Sequence, residues 1–146
     1  MYNVEVKIKL EPGATMPSYA TPGDSGVDLF PKENILIAPN ARGVLIKTGI
    51  SIELPQGFEF QVRPKSGNSI KTPLRVVLGT VDEGYRGEIG VIVDNLSKDT
   101  ISISKNKAIA QGVLQQVPKM NFIQVEKLNN NTERGSGGFG SSGRGL

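Results

Sequence analysis

Asp82 and Tyr85 are the two side chains in this sequence best placed by type and spacing to do chemistry. They stand three residues apart in Gly79-Thr80-Val81-Asp82-Glu83-Gly84-Tyr85-Arg86-Gly87-Glu88-Ile89-Gly90. A carboxylate can orient a water or take its proton. A phenol ring can pack against a ring-shaped ligand. Two β runs flank the stretch, Leu74 to Val81 and Gly87 to Val93, so a hairpin is expected between them. Gly84 and Gly87 are expected to supply the positive φ of its tight turn. A surface hairpin with an Asp in its turn is also a common structural device. Taken alone, the stretch leaves the two readings about even.

Composition narrows the chemistry. The 146 residues contain neither histidine nor cysteine. That removes Ser-His and Cys-His nucleophilic catalysis, disulfides and the usual zinc sites. Acid-base work falls to Asp, Glu, Lys or Tyr. The net charge is +3, from 17 basic and 14 acidic residues. So small an excess argues against direct nucleic-acid binding and suits a small polyanionic ligand. No apolar run approaches the ~20 residues of a membrane span. A soluble, intracellular, cytoplasmic protein with no membrane partner is expected.

The elements that must hold Asp82 and Tyr85 read as strands almost throughout. Val4 to Leu10 alternates apolar and charged residues. A long Pro/Gly-rich connection follows. Val27 to Phe30, Asn34 to Ile37, Gly43 to Ile52, Phe58 to Val62, Val76 to Leu78, Ile89 to Val93, Ile101 to Ser104, Ile109 to Leu114 and Phe122 to Val125 continue the pattern. No apolar stripe keeps helical spacing for long. Many short strands with Gly/Pro turns predict an all-β sandwich, jelly roll or barrel. Residues 1–126 are expected to form this body. Residues 127–146 should form a flexible Gly/Ser-rich arm, since they carry almost nothing to bury.

That arm is more than a linker in composition. Arg134-Gly135-Ser136-Gly137-Gly138-Phe139-Gly140-Ser141-Ser142-Gly143 interleaves a cation, hydroxyls, unshielded amides and one aromatic ring. Arg134 can pair with a phosphate and glycine amides can close on one. Phe139 can stack on a base. Three further segments have weaker signals, each more common as plain structure. Asp28, between Val27 and Leu29, could hold a hydrated metal ion. Lys65, Ser66 and Gly67 follow a strand and could bind phosphate. Gln111 is an amide among apolar neighbours.

Together and in this order, five segments resemble the motifs of the trimeric deoxyuridine triphosphatase (dUTPase) family: Asp24 to Phe30, Arg63 to Ser69, Gly79 to Ile89, Ala108 to Gln111, and Arg134 to Gly143. The third and fifth are the specific ones. The resemblance implies an all-β, jelly-roll-like (β-clip) subunit in a homotrimer with active sites shared between subunits. It implies hydrolysis of dUTP to dUMP and pyrophosphate with Mg²⁺, which keeps uracil out of DNA and supplies dUMP for thymidylate synthesis. By position, Asp82 matches the carboxylate that orients the attacking water. Tyr85 matches the ring under deoxyribose that leaves no room for a 2′-hydroxyl. Backbone of Gly79 to Tyr85, Val81 included, would read uracil. Asp28 would hold Mg²⁺ through water. Lys65, Ser66, Gly67 and Gln111 match phosphate contacts. Arg134, Gly140, Ser141 and Ser142 match arm contacts to the phosphates, and Phe139 the lid over uracil.

Three departures stand out. Lys65 replaces an arginine, keeping charge but losing the bidentate fork. Asn106-Lys107-Ala108 replaces Gly-Asp-Arg before Ile-Ala-Gln, and Arg144-Gly145-Leu146 extends the arm. Two rival readings are a dCTP deaminase of the same fold group, which would need a differently placed catalytic glutamate whose pattern Glu83 and Glu88 do not match, and a dUTP-binding regulatory trimer.

Overall fold

A computed structural model describes residues 2–146. Among them lie eleven strands: β1 Lys7–Leu10, β2 Val27–Leu29, β3 Ile35–Ile37, β4 Val44–Lys47, β5 Ile50–Glu53, β6 Phe58–Arg63, β7 Leu74–Val77, β8 Gly79–Val81, β9 Gly90–Asn95, β10 Ile101–Ile103 and β11 Ala110–Gln116. One six-residue helix, α1 Ser66–Lys71, interrupts them. The expected all-β class is what the chain adopts. No helix among the described residues is long and apolar enough to cross a membrane.

All pairings are antiparallel. The largest sheet runs β2-β11-β6-β8, and a second runs β4-β9-β7. Two ribbons, β1-β5 and β3-β10, close the sides. The period-2 alternation sends one face of each strand inward. Leu29, Ile46, Ile50, Val62, Val91 and Val93 meet there and are essentially inaccessible to solvent.

Several expected elements differ in detail. The run Gly43 to Ile52 is two strands, because Gly49 turns the chain with φ +72°. The run Leu74 to Val81 is also two: β7 joins β9, whereas β8 leaves that sheet to pair with β6. The stretch around Asp82 is therefore a crossing between two sheets rather than the loop of a simple hairpin. Alternation shows that a segment is a strand but not which strand it pairs with. Phe122 to Val125 forms no strand and stays exposed. The segment has the pattern but nothing in its own chain to lie against.

One polar residue sits at the centre of this packing. Asn95 is fully buried at the end of β9. Its Nδ2 donates to the carbonyls of Ala38 (3.0 Å) and Asp99 (2.7 Å), and its Oδ1 accepts from the Ser97 amide (2.9 Å) and hydroxyl (2.8 Å). These bonds tie the β9–β10 turn to the end of β3. Asn95→Ala strands several buried polar groups at once. It should cost about 2–3 kcal/mol of unfolding free energy in urea melts.

Candidate active site

The turn that carries Asp82 is built to expose it. The Tyr85 amide donates to the Asp82 carbonyl at 3.0 Å and closes the turn. Between Asp82 and Glu88 every side chain is exposed except the two glutamates, Glu83 and Glu88. Glu83 Oε1 accepts the Gly57 amide at 2.6 Å, and Glu88 Oε2 accepts the Gly49 amide at 2.8 Å. The next residue, Ile89, is buried, and its carbonyl accepts the Thr48 hydroxyl at 2.5 Å. The crossing is thus pinned at both ends, and Asp82 and Tyr85 stand free between the pins. Each glutamate thus spends one carboxylate oxygen on holding a glycine amide.

Gly84 and Gly87 do not take positive φ. Gly87 is required for a different reason. A Cβ there would fall 2.4 Å from the Tyr85 hydroxyl and 2.6 Å from the ring carbon that bears it. The ring lies across Gly87, and its hydroxyl donates to the Glu88 carbonyl at 2.9 Å. Tyr85 is thereby fixed as a wall while 46% of its surface stays open. Gly79, Thr80, Val81, Asp82 and Tyr85 line a cleft of about 300 Å³ with Val62, Ile89 and Ile92 behind. That volume is at the lower end of small-molecule sites, ~300–1,000 Å³. β8 is the edge of its sheet, so half of its main-chain donors and acceptors face the open side.

A second group gathers at the far edge of the same sheet. Register aligns Asp28 of β2, Gln111 of β11 and Arg63 of β6 in one row. Lys65 follows β6 and sets its ammonium 2.5 Å from Asp28 Oδ1. Gln111 Nε2 donates to the Pro64 carbonyl at 3.0 Å. Gly26 is needed beside it, because a Cβ there would meet Gln111 Oε1 at 2.5 Å. Asn68 Nδ2 donates to the Ala108 carbonyl at 3.0 Å. The first, second and fourth motifs are therefore stitched into one cluster, with Ser66 and Gly67 at the start of α1. Asp24 stands beside it: the Thr21 hydroxyl and amide, with a smaller pull from the Lys65 charge, hold its carboxyl below the usual aspartate range.

The row and the cleft are well separated within one chain. Asp28 lies three strand spacings from β8, roughly 14 Å, and Asp82 follows Val81, which pairs with Phe60, three residues and roughly 10 Å along β6 from Arg63. The arm is apart from both. No hydrogen bond joins residues 118–146 to the body among the described residues. Arg134 folds its segment back through a bond from Nε to the Gly137 carbonyl (2.9 Å). Arg134, Gly140, Ser141 and Ser142 line one concavity with Glu133 and Gly137. Phe139 is fully exposed and takes a left-handed φ of +51°. A bulky residue held there costs of order 1–3 kcal/mol, a strain that clusters at functional sites.

Asn68 and the pinning role of the two glutamates are the parts that sequence reasoning did not single out. Nothing in a sequence distinguishes an amide that reaches another loop's carbonyl from one that faces solvent.

Comparison with known proteins identifies the family. Residues 13–143 match the dUTPase family model, and the chain belongs to that family. The deoxyuridine 5′-triphosphate nucleotidohydrolase of Alkaliphilus metalliredigens is 44% identical over 98% of this chain and 99% of its own. Among solved structures, the dUTPase of Staphylococcus bacteriophage 80alpha with dUPNHPP superposes with a TM-score of 0.89 at 28% identity, covering 97% of this chain and 99% of its own. The D95N dUTPase of phage phi11 of S. aureus, described with a structural Mg(II) ion, superposes with a TM-score of 0.77 at 25% identity, covering 85% and 98%.

The Asn68 bond makes a local prediction. α1 buries none of its residues and has no side-chain cap at its N-terminus. Cross-links to the sheet must then hold it in place. Asn68→Ala should speed amide exchange of Ser69 to Thr72 roughly five- to tenfold, the worth of about one hydrogen bond, and leave β9 unchanged.

Proposed function

We propose that this chain is a dUTP diphosphatase that cleaves dUTP to dUMP and pyrophosphate. The observation that carries the reading is the joint presentation of Asp82 and Tyr85 on one cleft at the open edge of β8, in a chain of the dUTPase family. Uracil offers a row of carbonyl, N–H and carbonyl. The free main-chain edge of Gly79 to Val81 offers donors and acceptors at matching positions. Tyr85, held across Gly87, packs against the sugar and leaves no space for a 2′-hydroxyl. Asp82 orients a water towards the α-phosphorus and draws its proton as the new P–O bond forms. The bond to the β-phosphate oxygen breaks, and pyrophosphate leaves.

The row of Asp28, Lys65 and Gln111, with Ser66 and Gly67, takes the phosphates. Lys65 supplies a point charge there in place of an arginine's fork. The residues present fit Mg²⁺. No three carboxylates lie close enough to cage a metal among the described residues, but Mg²⁺ keeps most of its waters and needs only one or two carboxylates beside substrate phosphates. Asp28, half-buried, would hold it through water. What Mg²⁺ supplies when bound is charge neutralisation on the phosphates. Arg134, Gly140, Ser141 and Ser142 close the arm, residues 127–146, over the phosphates, and Phe139 covers the base. A cytoplasmic location suits an enzyme acting on free nucleotides.

We read the assembly as a homotrimer whose sites are shared. Two features support this. The phosphate row and the Asp82 cleft lie at opposite edges of one sheet, and the arm contacts neither. In addition, Met120, Phe122, Ile123 and Val125 are all exposed in the single chain. Four large apolar side chains in six residues need a surface to cover them, and neighbouring subunits of a closed ring can provide it.

Pyrophosphate release with dUTP, UTP, dTTP and dCTP tests the reading, with dUTP expected to be the substrate turned over fastest. Asp82→Asn should keep nucleotide affinity and lower kcat ~100-fold or more. A kcat within a few-fold of the unmodified enzyme would remove Asp82 from its role. Tyr85→Ala should shrink the dUTP/UTP ratio of kcat/KM, and an unchanged ratio would place sugar discrimination elsewhere.

A further inference from the structure

Gly57 is the meeting point of two parts of the molecule that are remote in sequence. Its N–H donates to Glu83, the residue after Asp82, at 2.6 Å. Its carbonyl accepts the Val117 amide at 2.7 Å. The second bond extends the β6–β11 ladder by one residue beyond the Phe58–Gln116 pair. It is also the last hydrogen bond between the body and everything that follows. Pro118 comes next and has no N–H, so the ladder ends there. The segment that leads to the arm therefore leaves the body at the Val117–Pro118 junction, whose fixed side is Gly57.

The turn that holds Gly57 is constrained on one side by Pro55. Pro55 fixes one φ, and Gly57 itself takes a φ of +87° that few other residues adopt. One peptide group lies to each side of the Gly57 Cα. A displacement of its carbonyl by the arm root thus reorients the amide that Glu83 grips. Glu83 is half-buried and faces the body, while Asp82 beside it faces the cleft. Moving one must move the other.

We propose that Gly57 couples the root of the arm to the catalytic turn, with Glu83 as the positioning residue that carries the coupling to Asp82. The proposal rests on the reading of Asp82 as the water-orienting group. In a ring whose arms serve neighbouring sites, this linkage runs from one site to another. The chain that lends its arm to a neighbour's nucleotide has its own Asp82 turn set by the same residue.

The test uses the full chain with Glu83→Ala and Glu83→Gln. Glutamine retains an acceptor oxygen at the same reach. Steady-state kcat and KM for dUTP are measured together with amide exchange at Gly57 and Val117. Glu83→Ala should lower kcat about tenfold or more, with KM changed less than about threefold, since small displacements of a reacting group cost rate steeply. It should also speed exchange at Val117, which Glu83 does not touch, about fivefold or more. Glu83→Gln should restore both to within about threefold of the unmodified chain. A merely structural residue would lower the unfolding midpoint and leave kcat per folded molecule and Val117 exchange where they were. That result overturns the proposal, as does faster exchange at Gly57 alone. Should Glu83→Ala not fold, Glu83→Asp, one methylene short of Gly57, carries the same measurements with the same outcomes. If the unmodified chain did not hydrolyse dUTP, the functional reading would fail, and the Val117 exchange would still decide the coupling.

Discussion

The antiparallel ladder between β6 and β11 is the interaction on which the rest of the structure depends. Six residues of each strand pair along it, from Arg63 opposite Gln111 to Phe58 opposite Gln116. Each end of the ladder, and each flank, holds a part of the site. At the Arg63 end, β2 adds Asp28 to the row and Lys65 leaves β6 to meet it. On the open flank of β6, β8 brings in the cleft that holds Asp82. Past the Phe58 end, Gly57 anchors both the Asp82 turn, through Glu83, and Val117, where the chain leaves the body. Gly112 shows how tightly the ladder is packed. A Cβ there would lie 1.8 Å from the Phe60 ring, so no larger residue fits without displacing a core side chain. Losing the register by one residue would turn Gln111 and Asp28 to opposite faces.

This arrangement separates the Asp28 row from the Asp82 cleft within a chain. The row is rigid because bonds cross three motifs: the Gln111 side chain to the Pro64 carbonyl, the Asn68 side chain to the Ala108 carbonyl, and the Lys65 ammonium to the Asp28 carboxylate. The Asn68 bond also bears on the departure at Ala108. Where the family has arginine, this chain has a residue with no polar side chain, and the link between the second and fourth motifs is made through the Ala108 carbonyl instead. The cleft is rigid for another reason, since its two glutamates hold glycine amides. The arm has neither kind of support among the described residues.

Much of this was legible in the sequence because strands announce themselves by alternation and motifs by order. Val44, Ile46 and Ile50, or Phe60 and Val62, point inward as their spacing requires. What stayed hidden depended on partners rather than on local pattern. β8 and β9 look like the two arms of a hairpin, but β8 pairs with β6. The helix α1 is six residues long, too short to show a period, and its Ile70 is exposed. Gly87 reads as a turn glycine, yet what it provides is room for a tyrosine ring. Phe122 to Val125 reads as a strand and is none in the single chain, where it has no neighbour to pair with. For the site, residue identity pointed to Asp82, Tyr85, Asp28 and Lys65. The supporting atoms of Glu83, Asn68 and Gly57 were beyond reach, because long-range hydrogen bonds leave no local signature.

The central claim is that a working site draws Asp82 and the arm from different chains, and one mixing experiment addresses it. Two variants are prepared, Asp82→Asn with its arm intact and a chain ending at Glu133 with Asp82 intact. Neither change touches the buried strand faces, so both should fold, and each alone should be nearly inactive. They are then unfolded, mixed in equal amounts and refolded together, and mixed trimers are verified by mass. If the two parts come from different chains, random assortment completes about a quarter of the sites, and activity should return to about a quarter of the unmodified level. If one chain supplies both, no site is ever complete. No recovery from verified mixed trimers would contradict the shared site.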